Sequence, residues 1–301
     1  MNDRASGARR RTPASRELPW VARVAWLAVA LGGGAIESAV DGRSGGVRWL
    51  AGVGGWALWG TVVVALLVPS VLSLAWIRVV GPLTIPVTVA CVVGGADATD
   101  VALLAVPSLV ALAAAFSPEV GRWMVQASAY GDEDRLLLRS PVPAGAAAIV
   151  SWIVWAVVVV VGPLALAAGN LVVGIPLTLV AIAVSVYVGP RWLRMVRRWL
   201  VLVPAGLVVH DPVVLADTLM VKTNQLAAIR LAPAGTEAAD LTGPASGYAV
   251  EITTSETVST VFAFTPREPN GRAIHMTGFL IAPSRPGAAL QRAAERGLPV
   301  A

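Results

Sequence analysis

Six apolar stretches, at residues 18–39, 47–68, 75–94, 100–116, 145–168 and 171–188, occupy most of the first two-thirds of this sequence. Each is close to the roughly 20 residues needed to cross the hydrocarbon core of a bilayer. In that medium a backbone N–H or C=O must find its partner within the chain, so a lone apolar stretch of this length is a helix. Hydrophobic residues make up 56% of the chain and charged residues 14%, a balance that fits a surface facing lipid and not a soluble globule. The first stretch contains Arg23 and has no small-x-small cleavage site before Asp41, so it reads as a retained helix and not a signal peptide. Ahead of it, residues 1–17 carry Arg4, Arg9, Arg10, Arg11 and Arg16 among Pro, Ser and Gly, the composition of a disordered cytoplasmic tail.

The net charge of +5 is a consequence of topology. Residues 1–198 carry sixteen Arg against ten acids, whereas residues 199–301 carry seven basic and eight acidic residues, so no basic face for nucleic acid is present. The arginines concentrate in the tail, near Arg78, in loop 117–144 (Arg122, Arg135, Arg139) and after the sixth stretch (Arg191, Arg194, Arg197, Arg198). The alternate loops hold only Arg43 and Arg48, with Glu37, Asp41, Asp97 and Asp100. The positive-inside rule then places both termini in the cytoplasm, in agreement with six spans over residues 18–198. Arg23 and Arg78 are expected to anchor their helices at the cytoplasmic interface beside Trp26 and Trp76.

Loop 117–144 is the one long connection among the spans. Ser117 and Pro118 are an N-cap and first-turn signature, and Gly131 is a stop signal. Val120, Trp123, Met124, Ala127 and Tyr130 share one face of the helix between them, so it is expected either to lie on the membrane surface or to extend the fourth span. After Arg198 the pattern changes to short β-prone runs at 199–203, 207–210, 218–222, 225–231, 248–254, 257–264 and 275–281, followed by one helix at 286–296. The expected fold is therefore an α-helical membrane bundle followed by a small β-rich α+β domain over residues 199–301. Seven strands ending in a helix is the order found in pleckstrin-homology-like (PH-like) domains.

Patterns that would indicate chemistry dissolve on inspection. Gly52–Gly55 loosely matches a dinucleotide loop but lies within a span, where Ala51 and Gly55 give a small-xxx-small packing face. Gly42-Arg43-Ser44-Gly45-Gly46 resembles a nucleophile elbow, yet it falls in a loop across the membrane from His210 and His275. His210 and Asp211, adjacent on a strand, point to opposite faces. With Cys91 alone in an apolar stretch, neither a disulfide nor a cysteine metal site can form within the chain, and no metal or cofactor is expected. Prolines interrupt four spans, as in transporters, and spans three and six share Val-Val-Gly followed by Pro-Leu-Thr, with one residue inserted in the second. In such Val- and Leu-rich sequence that likeness is attributed to composition.

The most distinctive polar run is Tyr130-Gly131-Asp132-Glu133-Asp134-Arg135, continuing to Leu138-Arg139-Ser140-Pro141. With Val203-Pro204-Ala205-Gly206, His210-Asp211-Pro212 and Ser284-Arg285-Pro286-Gly287, it resembles a group of uncharacterised multispanning membrane proteins of actinobacteria over roughly residues 120–300. Asp134 stands where that group has a basic residue, and the resemblance implies a bacterial plasma membrane but no activity. The sequence favours a non-enzymatic interaction or scaffold protein whose surface includes Tyr130, Asp132, Glu133, Arg135, Arg139, Arg194 and Arg197, facing a cytoplasmic protein partner or lipid headgroups. The acids of the run are expected to pair with the arginines of 191–198. A small-solute transporter or channel is the alternative, and an enzyme built around Asp132, Glu133 and Arg135 comes third.

Overall fold

The computed structural model describes residues 14–263 and 271–301. Residues 1–13, the greater part of the expected tail, and Phe264, the end of one expected strand, lie outside the described residues; residues 14–17 begin the first helix.

Among the described residues, six helical units are long and apolar enough to span a bilayer. The chain is a multi-pass membrane protein. The first span is broken: α1 (Ala14–Ala28) passes through a 3-10 turn at Val29–Gly32 into α2 (Gly33–Ala39). Helix α3 (Gly45–Leu67) returns. The third span is also broken, with α4 (Val71–Val80) joined to α5 (Thr84–Val93) by a 3-10 turn at Gly81–Leu83 that contains Pro82. Then come α6 (Ala98–Ala115), the short α7 (Pro118–Gln126), strand β1 (Asp134–Leu137), and the long hairpin of α8 (Val142–Ala167) and α9 (Leu171–Val196). Pro107, Pro163, Pro176 and Pro190 are accommodated inside continuous helices. The shared Val-Val-Gly and Pro-Leu-Thr therefore mark a break in span three and unbroken helix in span six, so the two are not structural repeats at that point.

The α8–α9 hairpin closes tightly because it has glycine where the backbones meet. A Cβ on Gly162 would lie 2.8 Å from the Thr178 nitrogen, and one on Gly174 would lie 2.7 Å from Leu166. Helix α9 runs to Val196 instead of stopping near residue 188, because Trp192 and Val196 continue its buried stripe while Arg191 and Arg194 remain exposed. Its 26 residues span about 39 Å at 1.5 Å per residue, more than the ~30 Å hydrocarbon core. A helix of that length tilts in the hydrocarbon or extends beyond it.

The sheet-rich region contains β2 (Trp199–Val203), β3 (Gly206–His210), β4 (Leu219–Lys222), β5 (Leu226–Leu231), β6 (Ala239–Asp240), β7 (Val250–Val261), β8 (Ala273–Ile281) and the closing helix α10 (Pro286–Glu295). Strands β1-β2-β3-β4 form one antiparallel sheet, and β5-β7-β8-β6 form the second, with β6 parallel to β8. The turn at Pro204-Ala205 holds as expected, and Gly206 (φ +146) is required there because a Cβ would lie 2.1 Å from the Val221 carbonyl oxygen. The two strands expected at 248–254 and 257–264 are one bent strand, β7, whose register shifts between Thr253 and Val258. At the bend the Thr254 hydroxyl donates to the Glu256 carbonyl at 2.7 Å, supplying a bond that the ladder loses.

Strand β1 departs most from the sequence reading. It belongs to loop 117–144 but pairs along its length with β2, Asp134 facing Leu202 and Leu137 facing Trp199. Alternate side chains on a strand point to opposite faces. Leu136 and Leu138 accordingly enter the core of the β-domain, with Leu200, Leu202 and Phe279, while Leu137 enters the core of the membrane bundle with Val120, Met124 and Val196. Helix α7 rests on the same point: a Cβ on Gly121 would meet the Leu137 side chain at 2.6 Å. The expected α7 face is corrected accordingly, since Val120, Met124 and Val125 are buried, Ala127 is exposed, and Tyr130 falls beyond the helix.

A soluble fragment of residues 199–301 lacks β1, leaving β2 as an unpaired edge. Its thermal midpoint should rise on addition of a peptide spanning residues 132–140, and Leu136→Ala in that peptide should abolish most of the gain, since large-to-small changes at such core sites cost about 2–5 kcal/mol. Circular dichroism melts with and without the peptide provide the measurement.

Candidate functional site

The polar run that the sequence singled out lies where the membrane bundle meets the β-domain. Ser117 caps α7 by accepting from the Val120 N–H at 3.2 Å, and Gly131 (φ +69) turns the chain back towards β1. Gln126 holds the returning strand at both ends of its amide: its Nε2 donates to the Glu133 carbonyl at 2.7 Å, and its Oε1 accepts from the Arg135 N–H at 2.8 Å. Glu133 pairs with the Arg135 guanidinium at 2.8 Å and also accepts from the Tyr130 N–H. The Arg135 guanidinium lies 5.4 Å from the Trp199 ring centroid. Tyr130 itself is 93% exposed.

The acids do not find the partners expected of them. Asp134 Oδ2 accepts from Arg296 Nε at 2.9 Å, and Asp132 Oδ1 lies 2.9 Å from Arg296 Nη2. A partner is thus at the C-terminal end of α10, one cation clamping two carboxylates that flank Glu133. Burial would lower the Arg296 pKa, but the hydrogen bond and charge of Asp134, with those of Asp132, push it up. Glu119 in the first turn of α7 pairs with Arg285, the residue before α10. Arg194 and Arg197, by contrast, are exposed at the end of α9 and form no ion pair among the described residues.

A second pair, which the sequence reading did not identify, sits beneath this surface. Arg198 and Asp211 are both almost fully buried, with Nε–Oδ1 at 2.7 Å and Nη2–Oδ2 at 2.6 Å, a bidentate arrangement. Arg198 Nη1 also donates to the Arg139 carbonyl, and the Asp211 carboxylate accepts from the Val213 and Val214 N–H groups at 3.2 Å. The signal was available: in the hairpin register Trp199 faces His210, so the flanking residues 198 and 211 must face each other. Arg139 in turn donates to the Tyr248 carbonyl, and its backbone N–H donates to Ala282 at 2.8 Å, which ties the strap between β1 and α8 to the second sheet. Burial lowers the Arg139 pKa.

The expected interface anchors are rearranged as well. Trp26 is buried and exchanges reciprocal indole-to-carbonyl hydrogen bonds with Trp59, each 3.0 Å. Arg23 instead lies between the rings of Trp20 and Trp123, 4.9 Å from each centroid, and donates to the Leu66 carbonyl at 3.0 Å. Arg78 lies not beside Trp76 but 5.5 Å from the Phe116 ring centroid, and it donates to the Ala115 carbonyl at the end of α6 at 3.4 Å.

At the opposite end of the bundle the two broken spans leave a cleft of about 1100 Å³. The turn Val29–Gly32, the helix starts at Thr84 and Asp100, and one face of α3 line it. Among the described residues no cluster of His, Cys, Asp and Glu has the arrangement of a metal site. No family model, no curated protein and no solved structure matches the chain.

Two outcomes are expected at the junction. Replacing Arg198 by Met strands the Asp211 carboxylate in a buried site, and such one-sided removals cost about 3–5 kcal/mol. Full-length protein in maltoside micelles should show a correspondingly lower melting midpoint, larger than that produced by Arg194→Gln. His210 stacks on Trp199 at 5.0 Å, and burial, followed by a smaller contribution from Arg197 and Arg135, lowers its pKa from 6.5 against an opposing pull from Asp211. The folded state therefore takes up this proton less readily than the unfolded chain, so its contribution is complete above about pH 6.5 and falls as the pH drops below that value. Protection factors for hydrogen exchange at β2–β3, corrected for the slower intrinsic exchange at low pH, should fall on acidification from pH 7 to 5, and His210→Gln should remove that component.

Proposed function

We propose that this protein is a non-enzymatic scaffold of a bacterial plasma membrane, related to the actinobacterial group it resembles, with both termini cytoplasmic. Its β-domain, PH-like in having two sheets closed by a C-terminal helix, serves as a recognition module held at a fixed angle over the bilayer. The observation that carries this reading is β1. A module that only needed a tether would hang from a flexible linker, whereas here a strand between spans four and five is built into the sheet and packs into both cores.

A fixed orientation gives each face of the module a defined role. Arg191, Arg194 and Arg197 line the exposed side of the last turns of α9, where the helix leaves the hydrocarbon. Anionic headgroups supply the counter-charge there, at about 1 kcal/mol per basic residue near the surface. Tyr130 and Tyr248, both largely exposed, stand away from the two cores as contacts for a cytoplasmic protein.

Photo-crosslinking amino acids at positions 130 and 248 of the full-length protein in native membranes should each yield a discrete adduct. Leu137→Asp, which breaks the weld without touching either position, should scatter or abolish it. Absence of any discrete adduct from both positions rejects the scaffold reading. The topology has its own check: reporters inserted at residues 42 and 97 should report the external side and those at 135 and 301 the internal side, and a reversed pair rejects the orientation.

A further inference from the structure

We infer that the cleft at the end of the membrane bundle remote from the β-domain is a binding site for a small organic cation with an apolar body, such as an aryl or alkyl ammonium. This goes beyond the scaffold role and does not depend on it.

The location follows from the helix directions. Arg23, near the start of α1, contacts Trp123 of α7 on the β-domain side, so the break at Val29–Gly32 and all of α2 lie in the remote half. Helix α3 enters from that remote end and presents Arg48, Gly52, Gly55, Trp56 and Trp59 to the cleft, residues spaced along one helical face. Trp59 lies 14 residues along from Gly45, about 21 Å at 1.5 Å per residue, so the cleft reaches deep into the bundle. Trp59 is held there by its paired bonds with Trp26.

The depth is produced by the two helix breaks. In lipid a non-helical backbone is tolerated only where it is buried or lines a cavity, and broken spans are the usual way a membrane protein forms a site for a small solute. Both breaks abut this space, the first through Val29 and Ala30, the second through Thr84. The glycines confirm that the space is open on the α3 side: a Cβ on Gly52 would meet nothing within 4 Å. At Gly34 the reverse holds, since a Cβ would lie 2.8 Å from Asp100 Oδ2; glycine there admits the Asp100 carboxylate against α2.

The lining specifies the sign of the ligand. Glu37, Asp41 and Asp100 contribute three carboxylates against one guanidinium, Arg48. Neither Glu37 nor Asp100 has an ion-pair partner among the described residues. Trp56 and Trp59 add indole surface, and a cation over an indole face gains about 0.5–2 kcal/mol. A volume of this size, with aromatic walls and a few charged groups, fits a drug-sized molecule in place of a bare metal ion. An anion would meet an excess of carboxylates, and a neutral molecule would leave them uncompensated.

The test uses the full-length protein in nonionic maltoside micelles and three probes of similar shape: benzyltrimethylammonium, benzyl alcohol and benzenesulfonate. Isothermal titration calorimetry should show saturable one-to-one binding of the cation and none of the sulfonate. Glu37→Gln with Asp100→Asn should weaken the cation at least tenfold, Trp56→Leu should weaken it several-fold, and Glu17→Gln, at the other end of span one, should leave it unchanged. Trp56→Leu keeps every charge in place and decides the matter if the double carboxamide variant does not fold. Equal binding of all three probes, or no binding of the cation, overturns the proposal. So does native mass spectrometry that finds one phospholipid held by the parent protein and shed by the double variant, because that result assigns the cleft to a lipid headgroup.

Discussion

Strand β1 contributes to two hydrophobic cores at once, and the arrangement of the whole molecule depends on it. A strand that is half-exposed can slip, but one with Leu136 on one core and Leu137 on the other cannot, because a one-residue shift would exchange the two sets of side chains between environments. The register with β2 is thus fixed from both sides. β2 repeats the device, with Leu200 and Leu202 in the β-domain core and Trp199 against the bundle. Two adjacent strands with this alternation hold the domain against rotation as well as translation.

The polar contacts around the weld act by specifying position more than by adding stability. Arg198 and Asp211 are removed from water, and the desolvation of two ions offsets much of their attraction. What remains is geometry: a planar guanidinium meeting a carboxylate and the Arg139 carbonyl permits one placement of the β2–β3 hairpin relative to the strap after β1. The Arg296 clamp differs in degree. Asp132 is largely exposed while Asp134 is buried, so the inner contact contributes more than the outer, which solvent screens. Together the clamp and the Glu119–Arg285 pair bring α10 to the same junction from the far end of the chain.

Much of this was legible in the sequence because apolar length and strand alternation are local signals. All six spans, the Ser117-Pro118 helix start, the turn before Gly206 and the helix at Pro286 can be read from neighbouring residues. What could not be read depends on the approach of distant segments. The four residues of β1 carry two acidic or basic side chains and two leucines, too short a run to announce a strand, and its partner begins more than 60 residues later. The same distance hides the Asp134–Arg296 contact, since nothing near Asp134 distinguishes an arginine in α10 from those ending α9. The Arg198–Asp211 pair is different in kind: it follows from the hairpin register, and only the reading of Arg198 as one more juxtamembrane charge concealed it. The cleft was hidden because Gly32-Gly33-Gly34 is a local break whose effect appears only when Asp100 from another span comes against it.

The bundle uses small residues for opposite purposes at its two ends, which explains why the cleft is found where it is. On the β-domain side Trp26, Leu66, Leu74 and Ile77 fill the interior together with the Ala111 and Ala115 positions of α6, so the spans there are locked by side-chain volume. On the remote side the buried set thins to Val29, Ala35, Cys91 and Leu104, and the cleft is lined by glycine at 32, 33, 34, 52 and 55. Where glycine meets a neighbour, as at Gly32 against Leu104, it draws the helices together at one seam. Where it meets nothing, as at Gly52, the missing volume becomes open space. An all-apolar void of this kind would tend to collapse, because its walls lack dispersion partners. Here Glu37, Asp41, Arg48 and Asp100 line the space, and charged groups of this kind favour a hydrated cleft over a collapsed one. The end of the bundle that carries the β-domain is closed by large side chains, and the opposite end is held open by small ones.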